Sequence, residues 1–396
     1  MTRILLLLPS MTETGGAERM VSSLSQLLAS AGLEVHEASF DPPGARRRFE
    51  NAAAFHPLGP IPRLPLALRV LEYFLAAWRL RALKRRLGIG VTISNLWRAD
   101  LISALCGGAD RKIALCHINI IGNATNRQML RFRPFVAFVY RRFARVLGVN
   151  ALLAEEVAAL YELSADRVGF VENFVARPEV VSALPQDGVV RFVWCGRMQP
   201  EKNVAGLLAA WKEFAADLQS VQLLLAGDGP LRSELEALAK SLGLRSGAID
   251  DPSAQIVFLG FAPEPARYMA GARALLLSSL HEGLPMVILE ALALGTPVLA
   301  SDCPAGGVRA ALVGGGACDP DRSGVEPAPC GALLPAPRAN RPQSLEPWRQ
   351  ALEAALNDAA LRERWGSGAL ERAKRFSPET ARERWLEEIA ATPQSS

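Results

Sequence analysis

Glu282-Gly283-Leu284-Pro285-Met286-Val287-Ile288-Leu289-Glu290 sets two glutamates eight positions apart, and the residues on either side of it decide the fold. Upstream, the run from Ala272 to Leu277 predicts a buried parallel strand ending near Ser278 and Ser279. The chain then turns through Gly283 into a helix that Pro285 starts, since proline lacks the N–H that a first turn leaves unbonded. Gly295 and Pro297 end that helix, and Val298-Leu299-Ala300 predicts the next strand. Glu282 therefore falls in the loop at a strand's carboxyl end and Glu290 on the second turn of the helix, which is where open α/β sheets bind ligands. The helix N-terminus offers N–H groups that suit a phosphate, and carboxylates beside it suit sugar hydroxyls. Taken alone, the same residues also fit a solvated glutamate before a helix and an unrelated one on its face.

The rest of the chain repeats this alternation. In the first half, strands are expected at Arg3–Leu8, Glu34–Phe40, Val91–Ser94, Lys112–His117, Val146–Val149 and Val168–Val171, with a helix over about Ala17 to Ala31. A second series runs Val189–Cys195, Val221–Ala226, Gln255–Leu259, Ala274–Leu277 and Val298–Ala300, with a short strand at Ala332–Leu334. Such alternation implies α/β domains with mostly parallel sheets. Arg177 to Gly188 reads as a polar link, so the domains are expected at 1–177 and 188–377. A last helix over 378–391 follows Ser377-Pro378.

At 396 residues, half of them hydrophobic, the chain has material for two cores. Its six cysteines show no Cys-x-x-Cys pair and its four histidines no metal spacing, so reduced thiols of a cytosolic protein are expected. Ile4 to Leu8 is a strand's length, too short for a signal peptide, and no apolar run approaches the roughly 20 residues of a membrane span. Net charge is +4 but uneven: residues 1–180 carry 23 Lys/Arg against 15 Asp/Glu, the rest 21 against 25. Arg63 to Arg86 holds seven cations and one acid, and Arg127 to Arg145 six arginines and no acid, both among aromatic and aliphatic residues.

Three further loops stand at expected strand ends. Gly196-Arg197-Met198-Gln199-Pro200-Glu201-Lys202-Asn203 opens a helix over about Val204 to Asp217. Its cations are disfavoured by the helix dipole unless an anion sits between, which points to a phosphate. Gly227-Asp228-Gly229-Pro230 fills the next turn, and Thr12-Glu13-Thr14-Gly15-Gly16-Ala17-Glu18-Arg19 the first one. Gly15 and Gly16 let backbone N–H groups approach an anion, and the dinucleotide fingerprint a dehydrogenase needs there is absent. His117, at a strand end, reads equally as a site residue or a satisfied structural one.

These motifs, in this order, resemble the retaining glycosyltransferases of family four, which have the GT-B fold of two Rossmann-like domains facing a cleft. The resemblance covers nearly the whole chain. It implies that Glu282 reaches the donor sugar, with Gly283, Leu284 and Pro285 in the same loop, and that Glu290 holds the ribose hydroxyls. Arg197 and Lys202 would grip the donor phosphates, the Gly15-Gly16 loop would reach phosphates or acceptor, and His117 would lie near the sugar. Phe258 and Leu259 match the segment bordering the base, where backbone contacts usually dominate and the side chains also fit a plain core. Family relatives return their last helix to the first domain, so Trp385 is expected to pack there. Ser301-Asp302-Cys303-Pro304-Ala305-Gly306-Gly307-Val308-Arg309 resembles the signature of a subgroup adding hexoses or N-acetylhexosamines to polyprenyl-diphosphate-linked or surface glycans, departing from it at Val308 and Ala310.

The function expected is thus retaining transfer of a sugar from a nucleotide-diphosphate sugar, a UDP-hexose or UDP-N-acetylhexosamine, to a lipid-linked or surface-polysaccharide acceptor. A GDP-mannose donor, or an epimerase or phosphorylase of the same fold, is the alternative. No cofactor is expected: the cations stabilise the leaving diphosphate, and no Asp-x-Asp motif suggests a divalent ion. Arg69, Arg79, Arg81, Lys84, Arg85 and Arg86, beside Leu71, Phe74, Leu75 and Trp78, suit an interfacial helix on an anionic membrane, or else a solvated outer face. The expected location is the cytoplasm, at the inner face of the cell membrane, with no nucleic-acid partner.

Overall fold

The computed structural model describes residues 2–13, 15–61, 69–117, 132–179, 184–185 and 187–391. Arg63, Arg127, Arg131 and part of the expected link at 177–188 lie outside them. The chain forms two compact units, Met1–Phe174 with Pro378–Ser396, and Val175–Ser377.

The first unit is built on seven strands, β1 (Arg3–Leu8), β2 (Glu34–Ser39), β3 (Ala54–Pro57), β4 (Val91–Asn95), β5 (Arg111–Cys116), β6 (Arg145–Gly148) and β7 (Val168–Phe170). They pair in the order β3-β2-β1-β4-β5-β6-β7, every pair parallel. After Arg3, β1 is an unbroken, buried run of leucine and isoleucine, as a central parallel strand requires. Helices at Gly16–Ser30, Arg69–Leu87, Trp97–Leu105, Arg133–Tyr140 and Ala151–Tyr161 link the strands. The Pro378–Ala390 helix completes this unit: Trp385 is buried, and Arg145 grips Glu388 through two hydrogen bonds of 2.6 and 2.7 Å.

The second unit has seven strands too, β8 (Val190–Cys195), β9 (Val221–Ala226), β10 (Ile256–Gly260), β11 (Leu275–Leu277), β12 (Val298–Ser301), β13 (Glu326–Ala328) and β14 (Gly331–Leu334). Their order is β10-β9-β8-β11-β12-β14-β13, parallel except for the last pair. The first sheet therefore has the doubly wound Rossmann order, and the second repeats it over β10-β9-β8-β11-β12 before an antiparallel β14-β13 edge. The core of this unit gathers Phe192, Trp194, Trp211 and Trp348. The Trp211 and Trp348 indole N–H groups donate to the carbonyls of Gln255 (3.1 Å) and Pro335 (2.8 Å), which lets these two rings be buried with their donors satisfied.

Candidate functional site

In the second sheet the chain winds outward in opposite directions from β8 and β11, so the loops at their carboxyl ends part and leave a crevice there. The loop after β8 runs through Gly196 and Arg197 into a 3₁₀ turn, Pro200–Lys202, and Asn203 in the left-handed conformation (φ 50°) before the Val204–Ala215 helix. Asparagine tolerates that conformation better than most residues. The loop after β11 runs from Ser278 to Pro285, and Pro285 is the extended cap of the Met286–Ala293 helix rather than its first residue.

Three hydrogen bonds stitch the two loops together. The Ser278 hydroxyl donates to the Lys202 carbonyl (2.9 Å), the Leu280 N–H to the Glu201 carbonyl (2.8 Å), and the Asn203 amide to the Ser278 carbonyl (3.2 Å). That scaffold brings Lys202 Nζ to 2.6 Å from Glu282 Oε1, which also accepts the Ser279 hydroxyl at 2.6 Å. Burial alone would push the Lys202 ammonium down. The Glu282 charge and hydrogen bond outweigh it, and the net shift is upward, so Lys202 is a cation at neutral pH.

Glu290 is fully buried on the Met286–Ala293 helix, and its charge is felt at Cys195 at the end of β8, so it faces back toward the switch point. Arg197 is exposed on the loop after β8. The loop after β9 closes on it: the Met198 N–H donates to the Asp228 carbonyl at 2.8 Å, and a Cβ at Gly227 would run into the Gly196 carbonyl. Phe258 packs its side chain against the core, and its carbonyl takes a long bond from Arg232 (3.5 Å); Leu259 is half-buried in β10. Gly283, Leu284 and Pro285 are buried beneath the Gly306-Gly307 turn that follows β12. A Cβ at Gly307 would overlap the Gly283 carbonyl, so only glycine lets that turn brace the Glu282 loop.

Ser279, Asn203 and Cys303 are site residues that reading the sequence missed. Ser279 follows an expected strand end and Asn203 precedes an expected helix, but nothing local says which loop each will bond. Cys303 is buried beside the Lys202–Glu282 pair; burial raises its thiol far above the ordinary value, and Glu282 adds to the rise, so it stays protonated and no nucleophile.

The first unit holds the remaining candidates. Gly15 caps the Gly16–Ser30 helix, after β1, with extended backbone. His117 follows β5, and its Nε2 lies 2.8 Å from Asn95 Oδ1 at the end of β4. The Asn95 amide nitrogen donates to the Leu7 and Ile93 carbonyls (both 3.4 Å), which fixes its oxygen toward the imidazole. Nε2 is therefore the protonated nitrogen, and Nδ1 is left as an acceptor. Burial lowers the His117 pKa to about 4, so the ring is neutral at pH 7 and suits a hydroxyl better than a phosphate. The Gly15 turn, Asn95 and His117 all lie at the carboxyl edge of the first sheet.

Residues 14–177 match the family model described as Glycosyltransferase Family 4, and residues 190–323 the one described as Glycosyl transferases group 1. The chain is a family-four glycosyltransferase. Over 74% of its length this glycosyltransferase is 24% identical to the N-acetylgalactosamine-N,N'-diacetylbacillosaminyl-diphospho-undecaprenol 4-alpha-N-acetylgalactosaminyltransferase of Campylobacter jejuni, covering 79% of that enzyme. It is 26% identical to the amylovoran biosynthesis glycosyltransferase AmsD of Erwinia amylovora, over 77% of this chain and 82% of that one. Among solved structures, sucrose-phosphate synthase from Thermosynechococcus elongatus superposes with a TM-score of 0.76 at 19% identity, covering 98% of both chains. WaaG, a glycosyltransferase involved in lipopolysaccharide biosynthesis, gives 0.68 at 17%, covering 98% of this chain and 100% of that one. The glycosyltransferase thus has the GT-B fold, with one doubly wound sheet in each unit.

Proposed function

We infer that this glycosyltransferase moves a hexosyl or N-acetylhexosaminyl group from a UDP-sugar to a lipid-linked or surface-polysaccharide acceptor at the inner face of a membrane, with retention of anomeric configuration. The observation that carries the reading is the 2.6 Å Lys202–Glu282 pair at the switch point of the second sheet. A cation and an acid held there by stitched loops suit the two halves of a glycosyl phosphate, Lys202 the phosphate oxygens and Glu282 the sugar hydroxyls. The anomeric carbon–oxygen bond breaks toward an oxocarbenium-like state, and negative charge grows on the leaving diphosphate. Lys202, Arg197 and the N-terminus of the Met286–Ala293 helix meet that charge as it forms, so the reading includes no resident metal. Glu282 and Glu290 bind in this reading, and the acceptor hydroxyl attacks from the leaving-group side, giving its proton to the departing diphosphate as the new glycosidic bond forms.

The acceptor class is supported by relatives whose names specify diphospho-undecaprenol-linked glycans and amylovoran biosynthesis. HepE, solved in complex with UDP and glucose, shares the fold at 17% identity. Incubation with UDP- and GDP-sugars should release nucleoside diphosphate from a UDP-hexose or UDP-N-acetylhexosamine, undiminished by EDTA. Lys202→Ala should lower that turnover at least about tenfold, near 1.4 kcal/mol of transition-state stabilisation. Release from GDP-sugars alone, or an unaltered rate in the variant, would refute the assignment.

A further inference from the structure

The Arg69–Leu87, Trp97–Leu105 and Arg133–Tyr140 helices are successive rightward crossovers of the first sheet, so right-handed connection puts all three on one face. The outer two both pack against the middle one. Each carries an exposed apolar stripe at helical spacing. On the first it is Leu71, Phe74, Leu75 and Trp78, the indole 68% exposed; on the second, Phe135 and Phe138, preceded by Phe132 at 64%. A soluble monomer rarely leaves so many aromatic rings on one face without a use.

Cations follow each stripe toward the helix's carboxyl end: exposed Arg81, Arg85 and Arg86 on the first, and Arg141 and Arg142 after the second, with Arg142 lying 4.5 Å over the Phe138 ring. The expected basic set is narrower than the sequence suggests. Lys84 is buried against Asp110 at 2.6 Å, and Arg79 turns in to the Leu58 and Pro60 carbonyls. Arg141 shares Glu162 with Arg133.

Direction adds something the sequence could not show. The first helix ends beside the start of β1, where Arg3 bonds the Leu87 carbonyl, and the second leads to Ala144, whose N–H bonds Lys112 at the start of β5. Both cationic ends therefore lie at the sheet's amino edge. Both apolar ends lie toward its carboxyl edge, where the Gly15 turn, Asn95 and His117 stand.

Resting on the lipid-linked acceptor reading, we propose that this face docks obliquely on an anionic bilayer. The Leu71–Trp78 and Phe132–Phe138 stripes enter deepest, and the arginines lie in the headgroups. The substrate edge of the first unit then faces the lipid surface, and a polyprenyl-anchored acceptor arrives at His117 without leaving the bilayer. Aromatic rings with flanking arginines fit lipid chains and anionic headgroups together.

Co-sedimentation with phosphatidylcholine vesicles containing about a third phosphatidylglycerol tests this. The wild type should bind and pure phosphatidylcholine should not suffice. Arg81→Ser/Arg85→Ser/Arg86→Ser should weaken partitioning on the order of a hundredfold. Phe74→Ser/Trp78→Ser should weaken co-sedimentation at least about tenfold while the protein stays folded by circular dichroism. No wild-type binding, binding unchanged in both variants, or a dimer that Phe74→Ser/Trp78→Ser makes monomeric would each overturn the proposal. Because vesicle binding needs no donor sugar, its failure is separate from a failure of sugar transfer, which is read with a water-soluble acceptor.

Discussion

His117 and Asp100 show how one buried region can hide its own titration. Burial moves the two groups in opposite directions: the imidazole falls from 6.5 to about 4, and the Asp100 carboxyl rises from 3.8 to about 7 despite bonds from Ser94 and Tyr140. Between those limits the unfolded histidine binds a proton that the folded one refuses, so its contribution to stability grows with pH. The aspartate does the reverse, because the folded carboxyl keeps a proton that the unfolded one has lost. From about pH 4 to 6.5 the two slopes nearly cancel in the wild type. Removing either one exposes the other. Relative to wild type, His117→Gln should lose stability as pH rises from 4.5 to 7, and Asp100→Asn should lose it as pH falls over the same range. Each change should be on the order of 3 kcal/mol in urea unfolding. Parallel pH profiles for wild type and both variants would refute the assignment of these two groups.

At the scale of elements, the central strands were legible because burial on both faces demands apolar runs, such as Ile4–Leu8 in β1, Phe192–Cys195 in β8 and Leu223–Ala226 in β9. The two edge strands that escaped notice, β3 (Ala54–Pro57) and β13 (Glu326–Ala328), each contain a proline and lack such a run. An edge strand needs ladder partners on one side only, so its side chains need not announce it. The helix starts expected near Ala17, Val204, Pro285 and Pro378 fall within a turn of those observed. The join between loops was not: Lys202 and Glu282 are 80 positions apart, and only the strand order makes them neighbours. The brace on the Glu282 loop is the sharpest case, since Gly306-Gly307 reads locally as a plain turn. Gly307→Ala would force its methyl into the Gly283 carbonyl and shift the loop that carries Glu282. Turnover should fall at least about tenfold, with a stability loss of roughly 1–3 kcal/mol. Gly324→Ala, with open space around it, should change neither measurement and serves as the control. Wild-type kinetics for Gly307→Ala would show that the loop does not depend on this brace.

On the scale of the molecule, two sheets of one winding order carry different chemistry at their carboxyl edges. The first offers a neutral imidazole, an amide and a glycine turn, and no cation among the groups bonded to His117 in the described residues. The second carries Arg197 and Lys202 on the loop after β8, with Lys202 paired to Glu282, and Glu290 buried on the Met286–Ala293 helix. A nucleoside diphosphate is anionic at one end and rich in hydroxyls at the other, so it should select the second unit. Binding there lowers the free energy of the folded state by about 2.7 kcal/mol when the ligand stands at a hundred times its dissociation constant, and local opening of the segments it touches becomes rarer by the same factor. Hydrogen exchange with and without UDP should therefore show added protection at Gly196–Asn203 and Ser278–Glu290, the loops stitched by Ser278, Leu280 and Asn203. β1, β4 and β5 should exchange as before. The Lys202→Ala protein should lose most of the added protection if Lys202 holds the phosphates as proposed, because that cation is gone and Glu282 is left as an unbalanced acid. Protection confined to the first unit, or equal in the variant, would mean that the nucleotide does not bind through the crevice between β8 and β11.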